Sequence, residues 1–212
     1  MNNAFLAQLF DWGASKKKGA LWFINGVLRR LGIPFVVRRA IDPTRDMTNL
    51  EQRLNLWHLA SQPLAYGVEG NVVELGCFDG KTAVIFARVI EQLAPDRQLH
   101  LYDHFRIGFN LTGRDIQQEV INNFQTAGCK LPVIHNEDFR VTVPGELPEQ
   151  IAFIHIDCGF GDDVEMHRAT VLYLLQHLYP RMPQGAIAVL MDYHDPTVSP
   201  GFNFGSIGNS GS

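Results

Sequence analysis

Residues 71–80 read Asn-Val-Val-Glu-Leu-Gly-Cys-Phe-Asp-Gly, a short apolar run followed by a turn that contains two glycines. The run is typical of a buried strand, and a helix from about Lys81 to Leu93 is predicted to follow it. Glycine lets backbone approach a ligand closely, and the first turn of a helix presents its N–H groups to whatever binds there. The stretch therefore predicts a strand–turn–helix unit with a ligand site at the turn.

The alternation of strand and helix continues along the chain. An amphipathic helix over residues 48–66 is predicted before the first strand. The later predicted strands cover residues 100–103, 131–135, 151–157 and 185–192, with helices over about 114–127 and 164–179. Five nearly continuous apolar strands that alternate with helices predict a parallel sheet covered on both faces.

Polar residues at the carboxyl ends of these strands are candidates for binding, because ligands of such sheets bind outside those ends. They are Glu74, Asp103, His135, Asp157 and Asp192. Asp103 ends the strand that follows the glycine turn and is suited to accept hydrogen bonds from two ribose hydroxyls. The turn and this acid together predict a ribose-containing cofactor. The alternative is a structural turn beside an ordinary strand-end aspartate.

The first 45 residues are basic, although the whole chain has a formal net charge of −4. Eight Lys or Arg residues stand against two Asp there, which gives this segment +6 and leaves −10 for the remainder. We expect a helical segment over residues 1–66 that caps the substrate pocket, one α/β domain over 67–204, and a flexible tail or cloning remnant over 205–212. The basic segment fits weak association with a membrane surface or with a nucleotide-linked substrate, and equally a solvated helix face.

Other features exclude several classes of protein. The apolar run between residues 19 and 28 is too short to span a bilayer, and no signal-peptide pattern accompanies it. Three widely spaced cysteines predict a reducing, cytoplasmic location, and no zinc-binding spacing of Cys or His occurs. We expect a small-molecule partner and no nucleic acid, and leave a homo-oligomer open.

The motif Glu74–Gly80 resembles motif I of class I S-adenosylmethionine-dependent methyltransferases, in particular the macrocin O-methyltransferase family. Further segments follow in the family's order. Asn136–Phe139 is similar to its segment near the adenine, Leu178–Gly185 to its Leu-Tyr-Pro linker, and Met191–Tyr193 to its Asp-Asp-Tyr ending. The resemblance covers roughly residues 46–195 and implies a Rossmann-like fold with a mostly parallel sheet.

The resemblance also implies S-adenosylmethionine as cofactor and methyl transfer to a small-molecule hydroxyl, that of a sugar or another secondary metabolite. The residues that it assigns to the cofactor are Glu74, Gly76, Cys77, Gly80, Thr82, Asp103, His104, Asp138 and Phe139. Asp157 and Asp192 match family ligands of Mg²⁺, and Asp157 also matches the general base. A hard cation held by carboxylates lowers the pKa of a hydroxyl and fixes it in line with the sulfonium methyl.

The chain departs from the family pattern at the expected metal site. Met191 replaces the first Asp of the ending, and Gly159 stands where a second Asp often follows Asp157. Three nearby aspartates could replace the missing ligand: Asp162, Asp163 and Asp195. The antiparallel hairpin that completes such sheets has no obvious counterpart after residue 192, so we expect it to be missing.

The histidines leave several roles open. His104 and His194 could line the pocket or act as a base, or be ordinary loop residues, whereas His155 is predicted to be a buried, hydrogen-bonded core group. Two rival functions are a cofactor-binding protein without transfer activity and a nicotinamide-dependent oxidoreductase. The absence of Gly-x-Gly-x-x-Gly disfavours the second.

Overall fold

In the computed structural model, residues 20–33, 37, 48, 50–106, 115–158 and 163–191 are described. The helices are α1 Ala20–Arg30, α2 Leu50–Ala65, α3 Lys81–Leu93, α4 Ile116–Ala127, the single turn α5 Phe139–Thr142, and α6 Val164–Leu178, which a 3-10 turn over Tyr179–Arg181 follows. The strands are β1 Asn71–Leu75, β2 Leu99–Asp103, β3 Val133–Asn136, β4 Ile151–Ile156 and β5 Ile187–Leu190. The chain forms two compact units, residues 1–49 and 50–212.

The five strands form one parallel sheet in the order β3-β2-β1-β4-β5. The chain runs outward from β1 to β3, then returns to the other side of β1 and continues to β5. The order therefore reverses between β1 and β4, and the carboxyl ends of these strands flank the crevice where such sheets bind ligands. This is the predicted Rossmann-like fold, with every strand of the described sheet parallel.

Helices cover both faces of the sheet, because alternate strand residues point to opposite sides. One core cluster packs Val73 and Ile154 of the strands against Val171 and Leu174 of α6. On the opposite face, the ring of Phe86 from α3 lies 5.1 Å from that of Phe153. Leu56, Trp57 and Ala60 of α2 are also buried. Helix α2 belongs to the same compact unit as the sheet.

Local capping residues set the ends of the later helices. The Asp115 side chain accepts a hydrogen bond from Gln118 N–H at 2.9 Å and caps α4, which ends at the left-handed Gly128. The Asp163 side chain accepts a hydrogen bond from Met166 N–H and caps α6. This carboxylate, which was considered as a replacement metal ligand, is therefore used as a helix cap.

Three elements differ from the sequence prediction. Strand β3 begins at Val133 because Pro132 has no N–H to donate, and β5 is shorter because a turn in which Ala186 N–H donates to Pro183 O precedes it. The single turn α5 was not predicted. Among the described residues no helix is both long and apolar enough for a membrane span. The expectations for residues 192–212, including the missing hairpin, fall outside the described residues.

Candidate functional site

The glycine turn lies between the carboxyl ends of β2 and β4. Gly76 N–H donates to Tyr102 O at 2.9 Å, and Asp157 N–H donates to Leu75 O at 2.8 Å. Gly76 has φ +81°, and a Cβ atom built on it would lie 2.0 Å from Asp157 O. Only glycine fits here, because both the backbone angle and the space exclude a side chain.

Asp103 holds the loop on the other side of the turn. Its Oδ2 accepts hydrogen bonds from the N–H groups of Cys77 and Phe78 at 3.0 and 3.2 Å, and its Oδ1 accepts from Phe105 N–H at 2.8 Å. Phe78 and Phe105 have φ of +46° and +53°, which costs each about 1–3 kcal/mol. A carboxylate has about four acceptor sites, so Asp103 can accept one further hydrogen bond from a ligand hydroxyl. Its side chain is 14 % exposed.

The N-terminus of α3 closes the turn. Gly80 has φ +76°, and a Cβ atom there would lie 3.0 Å from Val120 Cγ1 of α4. Asp79 is buried and pairs with Lys81 at 2.8 Å, while Asn123 donates to its carbonyl. Gly80, as the residue before the helix, supplies no side-chain cap, and the N–H of Lys81, which precedes Thr82 in the first turn, donates to Asp79 Oδ1 at 3.3 Å.

Cys77 lies in the turn but is a buried thiol. Burial, together with the nearby carboxylates of Asp103 and Glu74, raises its pKa well above the usual value. The thiol is therefore protonated near neutral pH and contributes packing rather than nucleophilic chemistry. Cys77, Cys129 and Cys158 are all within the described residues, and they form no disulfide.

Glu74 was predicted to face a ligand at the end of β1, but it is buried in the core. Its side chain is fully buried, and its Oε1 is 2.8 Å from Nδ1 of His155, which occupies the paired position on β4. Burial raises the pKa of the Glu74 carboxyl, although the hydrogen bond to His155 opposes this. The prediction that His155 is a buried, hydrogen-bonded core residue is confirmed, whereas the cofactor contact of Glu74 stays a prediction.

Asp157 and Met191 lie side by side at the carboxyl edge. Met191 N–H donates to Ile156 O at 2.8 Å, which extends the pairing of β4 and β5 to this point. Asp192 lies outside the described residues. Within the described ranges, no group of three or more His, Cys, Asp or Glu side chains is arranged to hold a metal ion.

The remaining predicted residues lie after β2 and β3. His104 is exposed, with its Nδ1 3.8 Å from Asp103 Oδ1 and accepting from Arg106 N–H. Asp138 is exposed and caps α5 through a 2.8 Å bond from Arg140 N–H, and Phe139 packs against the core. The structure thus brings Gly76, Cys77, Asp103 and Asp157 together through backbone contacts of the turn.

A pair of hydrogen-bonded histidines on the neighbouring strands β2 and β3 was not predicted from the sequence. Nδ1 of His100 is 3.1 Å from Nε2 of His135, and Nδ1 of His135 is 2.6 Å from Glu146 Oε2. His135 also stacks on Tyr102 with ring centroids 4.1 Å apart. Burial and His135 lower the pKa of His100 to about 4. In the sequence, the alternation of His100 and Tyr102 with leucines along β2 is the signal for this histidine pair.

A family model described as "Methyltransferase domain" matches residues 73–193, more than half of the chain. The comparison with curated proteins gives no match. Among solved structures, the O-methyltransferase NovP has 21 % identity and a TM-score of 0.56, over 70 % of this chain and 67 % of that one. The O-methyltransferase TomG from Streptomyces achromogenes, in complex with S-adenosylmethionine, has 16 % identity and a TM-score of 0.51, over 97 % and 78 %.

A methyltransferase from Podospora anserina, PaMTH1 bound to S-adenosylhomocysteine, has 12 % identity and a TM-score of 0.56, over 93 % of this chain and 86 % of that one. These similarities concern the fold. The family match begins within β1 and extends beyond β5, so it includes the glycine turn and the strand-end acids. The chain therefore belongs to the methyltransferase-domain family, and its sheet is that of the class I methyltransferase fold.

Proposed function

We propose that the chain transfers a methyl group from S-adenosylmethionine to the hydroxyl of a small molecule, a sugar or another secondary metabolite. The observation that carries the proposal is the Asp103 carboxylate, which three backbone N–H groups fix at the end of β2 beside the glycine turn. The names of NovP and TomG, both O-methyltransferases, support an oxygen acceptor. We also propose that the chain is a member of the macrocin O-methyltransferase subfamily.

The residues of the site fit the cofactor. Gly76 and Gly80 keep the turn free of side chains, and Asp103 has acceptor capacity left for ribose. We assign Thr82 and the N–H groups at the start of α3 to the polar end of the methionine portion, since a helix N-terminus favours anionic groups. We assign Asp138 and Phe139, which follow β3, to the adenine, and His104 to the wall beside the ribose.

Asp157 is the proposed base. When bound, S-adenosylmethionine supplies an electrophilic methyl group on a sulfonium. The Asp157 carboxylate would take the proton of the acceptor hydroxyl, so that the hydroxyl oxygen could accept the methyl group that the bound cofactor would supply as it leaves as the neutral thioether. Asp157 is held by the β1–β4 pairing, so its position relative to the turn is fixed before the substrates bind.

Mass spectrometry tests the proposal directly. Incubation with S-adenosylmethionine and a panel of sugar and phenol acceptors should give a product that is one methyl group heavier. Asp157→Asn should abolish transfer while calorimetry still detects cofactor binding. Cofactor binding without transfer to any acceptor would favour the inactive alternative.

We further propose that Mg²⁺ assists the transfer, held by Asp157 and Asp192 with waters in the remaining positions. A bound cation would lower the pKa of the acceptor hydroxyl. Because Met191 offers no hard oxygen ligand, affinity should be weak and Met191→Asp should tighten it. Activity should fall with EDTA and return with Mg²⁺, and transfer that is undiminished in EDTA would exclude this part of the proposal.

The N-terminal residues 1–66 are proposed to cap the acceptor pocket. Deletion of residues 1–45 should leave calorimetric cofactor affinity within a few fold and change the use of acceptors. Loss of cofactor binding in that variant would contradict the proposal. We also propose a cytoplasmic location, which the three buried thiols without a disulfide support.

A further inference from the structure

Helix α1 has an apolar face that is exposed. Phe23, Ile24 and Val27 are all exposed, Phe23 by 67 %, and Leu31 just beyond the helix is also exposed by 67 %. At about 100° per residue, these four positions fall within one arc of about 100° around the helix axis. Apolar residues in a single arc form a continuous stripe rather than scattered exposed side chains.

On the opposite side of the helix, Asn25 binds the backbone of Val37. Asn25 projects about 100° or more away from the stripe, and its side chain binds the backbone of Val37 in both directions. Nδ2 donates to Val37 O at 2.8 Å, and Val37 N–H donates to Oδ1 at 2.7 Å. Val37 is therefore held on the polar side of the helix, while the four apolar side chains of the stripe are exposed.

The basic residues on and around α1 indicate which kind of surface can cover the apolar stripe. Arg29 and Arg30 form the exposed last turn of the helix. Residues 12–41 contain seven Lys or Arg and no Asp or Glu. A second copy of this segment would bring like charges together, whereas an anionic surface would attract them. At about 100° per residue Arg30 projects about 20° outside the apolar arc, whereas Arg29 projects from the opposite side, near Asn25. An apolar arc with a basic residue at its border and a basic polar face is typical of helices that lie in a membrane interface.

We propose that this face of α1 docks the chain on an anionic lipid bilayer. Phe23, Ile24, Val27 and Leu31 enter the boundary between headgroups and acyl chains, and Arg30 at the border of the stripe contacts lipid phosphates. The helix of 11 residues lies along the surface. This inference does not depend on the methyl acceptor or on the metal.

Vesicle sedimentation of the full chain tests the proposal. The protein should sediment with phosphatidylcholine vesicles that contain phosphatidylglycerol, much less with pure phosphatidylcholine, and less as NaCl is raised. Arg30→Gln should lower the partition coefficient by about fivefold, since a basic residue near the surface contributes about 1 kcal/mol. Phe23→Asp should lower it by roughly tenfold or more.

Leu131→Asp is the matched control, because Leu131 is 50 % exposed and lies in the sheet unit. It should sediment as the parent does, and circular dichroism should show that all variants are folded. Equal binding to neutral and anionic vesicles would overturn the proposal, as would unchanged binding by Phe23→Asp. A dimer that Phe23→Asp dissociates, without any vesicle binding, would identify a second copy as the occupant and also overturn it.

Discussion

Gly76→Ala should destabilise the protein strongly and remove cofactor binding. A Cβ atom at this position meets Asp157 O at 2.0 Å and Asp157 C at 2.7 Å, both backbone atoms that no rotamer change can move. The left-handed φ of +81° costs an alanine about 1–2 kcal/mol, and overpacking adds about 1–3 kcal/mol. We expect a loss of about 3–4 kcal/mol in the free energy of unfolding, measured by urea denaturation.

Gly128→Ala provides the matched control. Gly128 also has a left-handed φ, of +65°, but a Cβ atom there meets nothing within 4 Å. Gly128→Ala is destabilising only through the left-handed backbone conformation, and the smaller conformational entropy of the unfolded chain partly offsets this. We therefore expect it to lower the free energy of unfolding by about 1 kcal/mol or less. The melting temperature should fall by roughly 10 °C for Gly76→Ala and a few degrees for Gly128→Ala. Equal losses in the two variants would refute the close approach of the turn to β4.

Two further predictions concern buried histidines. The native pKa of His100, about 4, lies below its usual 6.5, so the unfolded chain takes up a proton first and stability falls as pH drops from 6.5 toward 4. Between pH 7 and 5 the parent should lose about 2 kcal/mol more than His100→Gln in urea titrations, and parallel pH profiles would contradict this. His155→Leu should cost about 3 kcal/mol because it leaves Glu74 buried without its partner, and Glu74→Leu with His155→Leu should recover most of that loss. A double variant as unstable as the single one would argue against the pair.

The sequence was sufficient for the fold because its signals are local. Apolar strands, the glycines of the turn and the capping residues of the helices act over a few positions, so the order of elements and the carboxyl edge follow from them. The parallel sheet was confirmed. Asp163 shows the limit of such signals, because a residue weighed as a metal ligand serves as a helix cap.

The arrangement within the site depends on contacts between distant parts of the chain. The sequence predicts Glu74 as a ligand-binding residue at the end of a strand. In the structure the β1–β4 register places it opposite His155, and both side chains are buried. The left-handed φ of Phe78 and Phe105 could not be predicted, since such angles usually belong to glycine. Hydrogen bonds from both residues to Asp103 compensate for the strain, and that compensation exists only in the folded protein.

The most direct test of the account is calorimetric titration of S-adenosylmethionine into the full chain. Asp103→Ala is compared with Asp115→Ala, because both aspartates accept backbone hydrogen bonds but only Asp103 lies at the cofactor edge. Loss of a charged hydrogen bond worth about 1.5–3 kcal/mol should weaken binding to Asp103→Ala roughly 10- to 100-fold, and Asp115→Ala should bind within a few fold of the parent. Binding to Asp103→Ala that is as tight as to the parent would contradict the assignment of this site.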